Sequence, residues 1–253
     1  MKVLAWNIQH GGGMRVPRIA EAIASHAPDI VVLSEFRAAA GVELRGLLRA
    51  AGYPHLIAPD LRSKQNGVAI ASRWPFAQAK ETRPSAVPAN RWVEASVPDA
   101  DLTVAAFYGP LENHRYDAWW RGVRVAVKRR IQRPFLLAGD FNTGMSVVDA
   151  PRDPFYCANH FMALQRLGMT DVWRTRNADV REYSWYSRRA GKDVNGFRLD
   201  HALMSPALTR RLRSAVLARR TRAGQLRSFD SPRRVRRSGR LKLPEPQLRR
   251  CNA

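Results

Sequence analysis

Cysteines and long apolar runs are scarce in this chain, and their scarcity excludes several classes of protein. Only Cys157 and Cys251 occur among 253 residues, too few for a disulfide framework or a cysteine metal cluster. No apolar run approaches the length of a membrane span. The first residues, MKVLAWNIQHGGG, have one basic side chain and a short apolar patch before the glycines, which favours a strand over a signal peptide. We therefore expect a cytoplasmic protein without membrane association.

Acidic residues are also few, with 21 Asp and Glu against 43 Lys and Arg, so the formal net charge is +22. The excess is uneven, because residues 206–253 contain 15 basic and two acidic residues, a net charge of +13 that leaves +9 for the rest. A positive body favours polyanionic partners such as nucleic acid. The positive charges within residues 206–253 repel one another, which favours an irregular conformation of this tail.

Short runs of Val, Ile, Leu and Phe alternate with segments of helical periodicity, and 45% hydrophobic residues can fill the core of one large domain. The predicted strands are Lys2–Ile8, Ile30–Ser34, Gly67–Ser72, Trp92–Val97, Leu102–Tyr108, Pro134–Gly139 and Arg198–Met204, and the predicted helices are Val16–His26, Val42–Ala51, His114–Arg130 and Cys157–Leu167. Short turns between neighbouring strands indicate antiparallel pairing. We predict an α/β fold in which two sheets pack face to face and helices flank them. A dinucleotide-binding sheet is not expected, because the glycines at 11–13 lack the GxGxxG spacing.

Polar residues recur where the predicted strands end, and loops at one sheet edge converge. The residues at these carboxyl ends are Asn7, Glu35, Tyr108, Asp140, Asn142 and Asp200. A single acid after a strand is usually only a turn residue, but a set of six predicts one cleft. Glu35 with a second acid can hold a hard cation, for which Mg²⁺ with several waters is the natural occupant. Asn142 can donate to a phosphate oxygen, which leaves Asp140 to handle the proton of an attacking water.

Five segments, in their order and spacing, resemble the endonuclease/exonuclease/phosphatase superfamily and, within it, the bacterial exonuclease III-like branch. They are AWNIQH, VVLSEFR, LLAGDFNTG, YSWYS and FRLDHALMSP. The resemblance implies a DNase I-like fold, a four-layer sandwich of two mostly antiparallel β-sheets flanked by helices. It also implies a monomer that hydrolyses nucleic-acid phosphodiester bonds, with DNA as the expected partner. The expected cofactor is Mg²⁺, with Mn²⁺ as an alternative. Residues 1–214 would form this domain, and residues 215–253 would form an Arg-rich irregular tail.

The resemblance implies a catalytic or metal-binding role for four of the matching positions. Glu35 matches the metal-binding carboxylate, and Asn7 matches an amide that lies near the metal and orients water. Asp140 matches the aspartate that activates or positions the nucleophilic water. Asp200 matches the aspartate that orients a catalytic histidine.

Three further positions match residues that contact the substrate. Asn142 and Tyr108 match phosphate-binding side chains, and the resemblance places Tyr108 in a loop at a strand end. Trp185, in YSWYS, matches an aromatic side chain near the substrate-binding face of nuclease members. A packed core tryptophan is an equally good interpretation of Trp185.

The chain departs from the family pattern after Asp200. The neighbouring His201 matches a residue with a structural role, whereas the catalytic histidine of the family lies in a later Ser-Asp-His segment on one more strand. No histidine follows Ala202 in this chain. The last strand, the terminal metal-proximal aspartate and the catalytic histidine are therefore expected to be missing.

Two explanations of the tail stay open. One is a basic tail that binds nucleic acid. The other is a slipped reading frame, because Ser231–Arg236 can be encoded by codons that, read one nucleotide later, give His-Pro-Val-Val-Phe followed by an acid. The expected function is then a phosphodiesterase impaired by this loss. The alternatives are a non-catalytic relative that binds nucleic acid through its arginines, and a phosphatase acting on a small phosphoester.

We predict that the chain as written hydrolyses DNA weakly and that frame repair, which places a Ser-x-His-x-Val strand after Gly224, restores Mg²⁺-dependent cleavage. A proton-transferring group contributes about 10²–10⁴-fold, so we expect a gain of that size when both chains are assayed on one labelled duplex. Robust turnover by the unmodified chain, without a gain on repair, would contradict this prediction. It would assign the work of the absent histidine to another residue, such as His10 or His114.

Overall fold

The computed structural model describes residues 1–78, 83–111, 116–150, 155–187 and 195–217, and the backbone of two short strands beyond them. The strands are β1 (Val3–Asn7), β2 (Ile30–Phe36), β3 (His55–Ile57), β4 (Gly67–Ser72), β5 (Ala77–Gln78), β6 (Trp92–Val97), β7 (Leu102–Tyr108), β8 (Phe135–Asp140), β9 (Thr170–Asp171), β10 (Trp185–Tyr186), β11 (Gly196–Phe197), β12 (Asp200–Met204), β13 (Arg219–Arg220) and β14 (Leu226–Arg227). The α-helices are α1 (Val16–His26), α2 (Ala38–Ala50), α3 (Asp117–Arg130), α4 (Ala158–Arg166) and α5 (Pro206–Thr209). Short 3₁₀ turns lie at Gly13–Arg15, Ala89–Arg91 and Pro98–Ala100.

Two sheets stack face to face in the centre of the molecule. The smaller sheet has the strand order β1-β2-β4-β3, and the larger has the order β5-β6-β7-β8-β12-β9. Within these sheets only the β1–β2 and β7–β8 pairs are parallel, and the remaining pairs are antiparallel. Alternate residues of each strand, such as Ile30 and Val32 opposite Val104 and Ala106, form a buried layer between the sheets. The prediction of two mostly antiparallel sheets is confirmed.

Helices cover the outer face of each sheet and complete four layers. Helices α1 and α2 pack Ile19, Ile23 and Leu44 against the smaller sheet. Helices α3 and α4 pack Trp120 and Phe161 against the larger sheet. This architecture is the DNase I-like fold that was expected. No described helix is both long and apolar enough to cross a membrane.

The differences from the predicted elements have local causes. Helix α2 begins at Ala38 and not at Val42, because alanine is a strong helix former and extends the helix without an apolar period. Val42 is itself exposed, so it does not mark the buried face. Strands β3, β5, β9, β10 and β11 were not predicted, since two or three residues are too few to display a period of two. The predicted start of the third helix at His114 lies outside the described residues.

The first strand lies at an edge of its sheet. Among the described strands, β1 pairs with β2 alone, so its outer side is where one more strand could pair. Beyond residue 217 the structure gives only the backbone pairing of Arg219–Arg220 with Leu226–Arg227. The rest of the tail lies outside the described residues. The division of the chain at residue 214 and the irregular tail therefore remain predictions.

A buried cluster of charged side chains joins β9, β12 and the loop that follows β8. Arg198 donates from Nε to Asp149 Oδ1 over 2.8 Å and from Nη2 to Asp171 Oδ2 over 2.7 Å. Arg174 also donates to Asp149, and His201 Nδ1 lies 3.3 Å from Asp171 Oδ2. Burial alone would raise the pKa of both carboxyl groups. Hydrogen bonds and positive charge from Arg198 and His201 outweigh burial, so the pKa of each lies below its ordinary value.

We predict that Asp171→Asn lowers the free energy of unfolding at neutral pH by about 3–5 kcal/mol, because it leaves part of the charge of Arg198 buried without a partner. The contribution of Asp171 is present above its unfolded pKa of about 3.9 and is lost as the pH falls through its lower folded pKa. Urea unfolding of Asp101→Asn provides the control. Asp101 forms an exposed ion pair with Arg211, so a change within about 1 kcal/mol is expected. Equal losses in the two variants would contradict the prediction.

Candidate active site

The six polar residues singled out in the sequence lie at one edge of the two sheets. Asn7, Tyr108 and Asp140 end their strands, and Glu35 lies one residue before the end of β2. Asp200 differs from expectation, because it begins β12 and does not end it. Since β12 runs antiparallel to β8, its first residue reaches the same edge and pairs in register with Asp140.

The side-chain amide of Asn7 connects the two sheets at this edge. Its Nδ2 donates to Glu35 Oε1 over 3.0 Å and to Asp140 Oδ2 over 2.8 Å. Its Oδ1 accepts a hydrogen bond from the backbone of Gln9 over 2.9 Å. One carboxylate from each sheet is therefore held against a single nitrogen. The structure brings Glu35 and Asp140 together, as a shared cleft requires.

Unusual backbone conformations direct the acidic side chains into the cleft. Glu35 has φ 59° where the register between β2 and β4 shifts, so its side chain departs from the alternation of the strand. Gly139 has φ 138°, and a Cβ there would lie 2.2 Å from the backbone oxygen of Phe107. Only glycine allows this close approach of β8 to β7. The adjacent Asp140 is held by a hydrogen bond from its backbone N–H to Ser34 Oγ at 3.1 Å.

The facing carboxyl groups of Asp140 and Asp200 repel each other in a buried environment. Burial first, and then the charge of Asp200, hold the pKa of Asp140 well above its ordinary value, against hydrogen bonds from Asn142 and Asn7. Burial likewise raises the pKa of Asp200, although hydrogen bonding to Ser184 opposes it. Asp200 Oδ1 is buried without a hydrogen-bond partner among the described residues. The pair is therefore suited to receive either a proton or a cation.

The donor set fits a hydrated divalent cation. Within the described part of the chain, no group of three or more His, Cys, Asp or Glu side chains is placed to hold a metal ion. Mg²⁺ in proteins commonly keeps several waters and binds only one or two carboxylates. Glu35 and Asp140, joined by Asn7, offer such a sparse set of one or two carboxylates.

Tyr108 presents a phenol that stays protonated over the physiological pH range. Burial, and then the charge of Glu35, raise its pKa to about 12, although Arg91 opposes the shift. The guanidinium carbon of Arg91 lies 3.9 Å from the centroid of the Tyr108 ring. Nearby, Asn142 Nδ2 donates to the backbone oxygen of Gly109 over 3.0 Å. The Tyr108 side chain is itself buried, whereas Asn142 is partly exposed, so the amide of Asn142 is the donor at the surface of the site.

Asn66 was missed in the sequence, and His10 was named there only as a substitute for the absent histidine. Asn66 Nδ2 donates to Glu35 Oε2 over 3.1 Å, and the backbone N–H of His10 donates to the same oxygen over 2.7 Å. Asn66 precedes β4 and does not follow a strand, so a search of carboxyl ends overlooks it. Because β4 is antiparallel to β2, its beginning lies at the same edge as the end of β2. Antiparallel pairing was the signal that could have identified Asn66.

Trp185 and His201 occupy different environments. Trp185 is 43% exposed on β10 and tilts against Phe197 with ring centroids 5.6 Å apart. The interpretation of Trp185 as a packed core residue is therefore wrong. His201 is buried in the ion cluster and also contacts the backbone oxygen of Thr143 at 2.8 Å. His201 therefore lies in the protein interior, within the cluster of charged side chains.

Comparison with known proteins identifies the family. The model of the Endonuclease/Exonuclease/phosphatase family matches residues 4–221. The chain belongs to this family. The resemblance expected from the five sequence segments is confirmed.

Solved structures of family members resemble this chain closely in fold. An AP endonuclease from Archaeoglobus fulgidus superposes with a TM-score of 0.68 at 18% identity, covering 82% of this chain and 87% of the other. The 3′-5′ exonuclease NExo from Neisseria meningitidis gives a TM-score of 0.65 at 25% identity over 82% and 88%. A Neisseria 3′ phosphatase NExo variant bound to a product DNA hairpin gives 0.65 at 24% identity over 81% and 86%.

We predict that Asp200→Asn stabilises the metal-free protein at neutral pH. Because folding raises the pKa of Asp200 and Asp140, their protonated forms favour the folded state. This stability is lost as the pH rises from the unfolded pKa through the folded one. Removing one charge relieves the repulsion, and each kcal/mol gained should raise Tm by about 2–4 °C.

Thermal unfolding in EDTA and in MgCl₂ checks this prediction. The cation should raise the Tm of the wild type more than that of Asp200→Asn, because a ligand of the folded state stabilises it by mass action. Asp99→Asn, at an exposed surface position, should behave as the wild type in both buffers. A lower Tm of Asp200→Asn in EDTA would contradict the proposed repulsion.

Proposed function

We propose that this protein is a Mg²⁺-dependent phosphodiesterase that hydrolyses phosphodiester bonds in nucleic acid, with DNA as the favoured substrate. The observation that carries the proposal is the contact of Asn7 with both Glu35 and Asp140 at the mouth of one cleft. Membership of the family supports the reaction class. The related Neisseria enzyme bound to a product DNA hairpin supports DNA as the polymer.

Different acidic side chains would bind the metal and activate the water. Glu35 would hold the cation with Asn7 beside it, and Asp140 would accept the proton of the attacking water. A raised pKa suits Asp140 for this task, since a general base works best when its pKa is near the working pH. When bound, Mg²⁺, or Mn²⁺ in its place, would polarise a phosphoryl oxygen and make a coordinated water more acidic. Asp200 would keep Asp140 basic by its charge.

Neutral donors would position the phosphate opposite these carboxylates. The phenol of Tyr108 stays protonated because its pKa is about 12. Asn142 Nδ2 has two protons, of which the backbone oxygen of Gly109 takes one. The second is available to a non-bridging phosphate oxygen. Donors fixed in this way stabilise charge that develops on the phosphate in the transition state.

The paired strands β10 and β11, which lie beside the site, favour a polymer substrate over a small phosphoester. Ser184 Oγ accepts hydrogen bonds from the backbone N–H groups of Leu199 and Asp200, at 3.0 and 3.2 Å. The next two residues, Trp185 and Tyr186, are 43% and 49% exposed. Aromatic faces stack on nucleobases with energies of about 1–3 kcal/mol per base. Bases flanking the scissile phosphate therefore have a surface to bind, which a small phosphoester would not use.

The second candidate is a non-catalytic relative that binds nucleic acid. The absence of any histidine after His201 favours it, because the family places its catalytic histidine there. Such a protein would bind DNA in a salt-sensitive way through its basic residues. Turnover that requires Mg²⁺ favours the enzyme, and salt-sensitive binding without turnover favours the relative.

We predict that Glu35→Ala and Asp140→Ala each lower kcat on a labelled DNA duplex by roughly 10²–10⁴-fold, because Glu35 would hold the cation and Asp140 would accept the proton of the attacking water. Excess EDTA should abolish the activity of the wild type. Asp99→Ala removes an exposed acid outside the cleft and should leave the rate unchanged. Full activity in EDTA or in Asp140→Ala would refute the assigned roles. A wild type that cleaves p-nitrophenyl phosphate faster than DNA would favour the phosphatase.

A further inference from the structure

A left-handed turn after β1 places a histidine beside Glu35 of the candidate active site. The residues of Gln9–Gly13 all have positive φ, between 52° and 84°, a conformation that glycine adopts readily and other residues rarely. A Cβ on Gly12 would lie 2.6 Å from Ile19 Cδ1, so the Ile19 side chain would have to shift. The glycines therefore allow a tight turn that holds His10 in an otherwise unfavourable backbone conformation.

The turn is attached to the residues of the candidate active site. The backbone N–H of Gln9 donates to Asn7 Oδ1 over 2.9 Å, and that of His10 donates to Glu35 Oε2 over 2.7 Å. The backbone N–H of Gly11 donates to the backbone oxygen of Glu35 over 2.7 Å. The position of His10 is thus set by the same side chains that would hold the cation.

The contact of Arg37 with the His10 ring favours one tautomer of the imidazole. Arg37 Nη2 lies 3.0 Å from His10 Nδ1, and because a guanidinium can only donate, Nδ1 must accept. The proton of the neutral ring is then on Nε2. Arg37 is itself oriented by a hydrogen bond from Nε to Asn66 Oδ1 at 2.5 Å. Glu35 Oε2, 3.2 Å from Nδ1, already accepts from the backbone of His10 and from Asn66.

The Nε2–H group is therefore an oriented donor that faces outward. The His10 side chain is 71% exposed, and no hydrogen-bond partner of Nε2 occurs among the residues that the structure describes. The cleft beside it contains the carboxylates of Glu35, Asp140 and Asp200, which repel an anionic substrate. A neutral donor held at the rim can offset part of that repulsion by a hydrogen bond to the anion.

We propose that His10 is a substrate-binding residue that donates from Nε2–H to a non-bridging oxygen of a phosphate in this cleft. The proposal rests on the phosphodiesterase function proposed above. It assigns a phosphate contact to the amino-terminal turn, on the Glu35 side of the cleft, and makes Arg37 the residue that positions the ring.

Kinetics of three variants test this contact on a labelled DNA duplex with Mg²⁺. His10→Ala removes the donor and should lower kcat/KM by about 10- to 100-fold, the effect of a lost hydrogen bond to a charged group. His10→Gln places an amide N–H near the position of Nε2 and should recover most of that loss. Met14→Ala is the matched control, because Met14 follows the same turn and is fully exposed, and it should leave kcat/KM unchanged.

A nitrogen NMR experiment gives a readout that does not depend on turnover. The imidazole signals of His10 are followed in the Asp140→Asn protein with Ca²⁺, before and after addition of a short DNA duplex. We expect the Nε2–H tautomer at the start and a shift of the Nε2 signal on DNA addition. The same shift in Asp140→Asn combined with Met14→Ala confirms that the turn itself is unchanged.

The outcomes separate the two proposals. If the wild type cleaves no phosphoester while DNA still shifts the His10 signal, the phosphodiesterase proposal fails and the phosphate contact stands. If the wild type cleaves DNA, but His10→Ala cleaves it equally fast or the ring signals do not respond to DNA, the His10 contact is overturned. An Nδ1–H tautomer would likewise overturn it, since the donor would then point at Glu35.

Discussion

The hydrogen bonds of Asn7 to Glu35 and Asp140 are the contacts on which the candidate site depends. Glu35 lies in the smaller sheet and Asp140 in the larger one, so their separation is set by the packing of the two sheets. A buried apolar layer fixes that packing, because close-packed interiors deform little. The amide of Asn7 can donate to both carboxylates only because the sheets hold them within reach. Through its backbone contact with Gln9, the same side chain also positions the turn that carries His10.

Strand β12 joins two environments of opposite electrostatic character. At its first residue, Asp200 faces Asp140. Burial raises the pKa of both, and the charge of Asp200 raises the pKa of Asp140 further. Around it, Arg198 and His201 lie in a cluster where hydrogen bonds and opposite charges lower the pKa of Asp149 and Asp171. The compensated charges link β12 to β9 and to the loop after β8, and removing one partner would leave a buried charge without compensation. The repulsion between Asp140 and Asp200 would be relieved by a bound cation or by a proton.

Much of the fold could be predicted because the long strands are nearly continuous apolar runs between turns. Strands β4, β6 and β7 have the predicted bounds, and helix α1 does as well. The two-residue strands could not be predicted, since they form only where a neighbour offers a partner. At the site, residues that end strands were found from their position. Asn66 was missed and Asp200 was assigned to the wrong end of its strand, because both depend on antiparallel pairing with distant residues.

The sequence by itself indicated the two-sheet architecture and the polar residues near strand ends, because these follow from local runs of apolar residues and from the residues that interrupt them. The family followed from the resemblance of five segments to known members. Only the tertiary structure decided that Trp185 is exposed, that His201 is internal, and that His10 lies against Glu35 and Arg37. Those facts depend on contacts between segments far apart in the chain. Side-chain burial and the protonation of an imidazole are set by such neighbours, and no local pattern of residues encodes them.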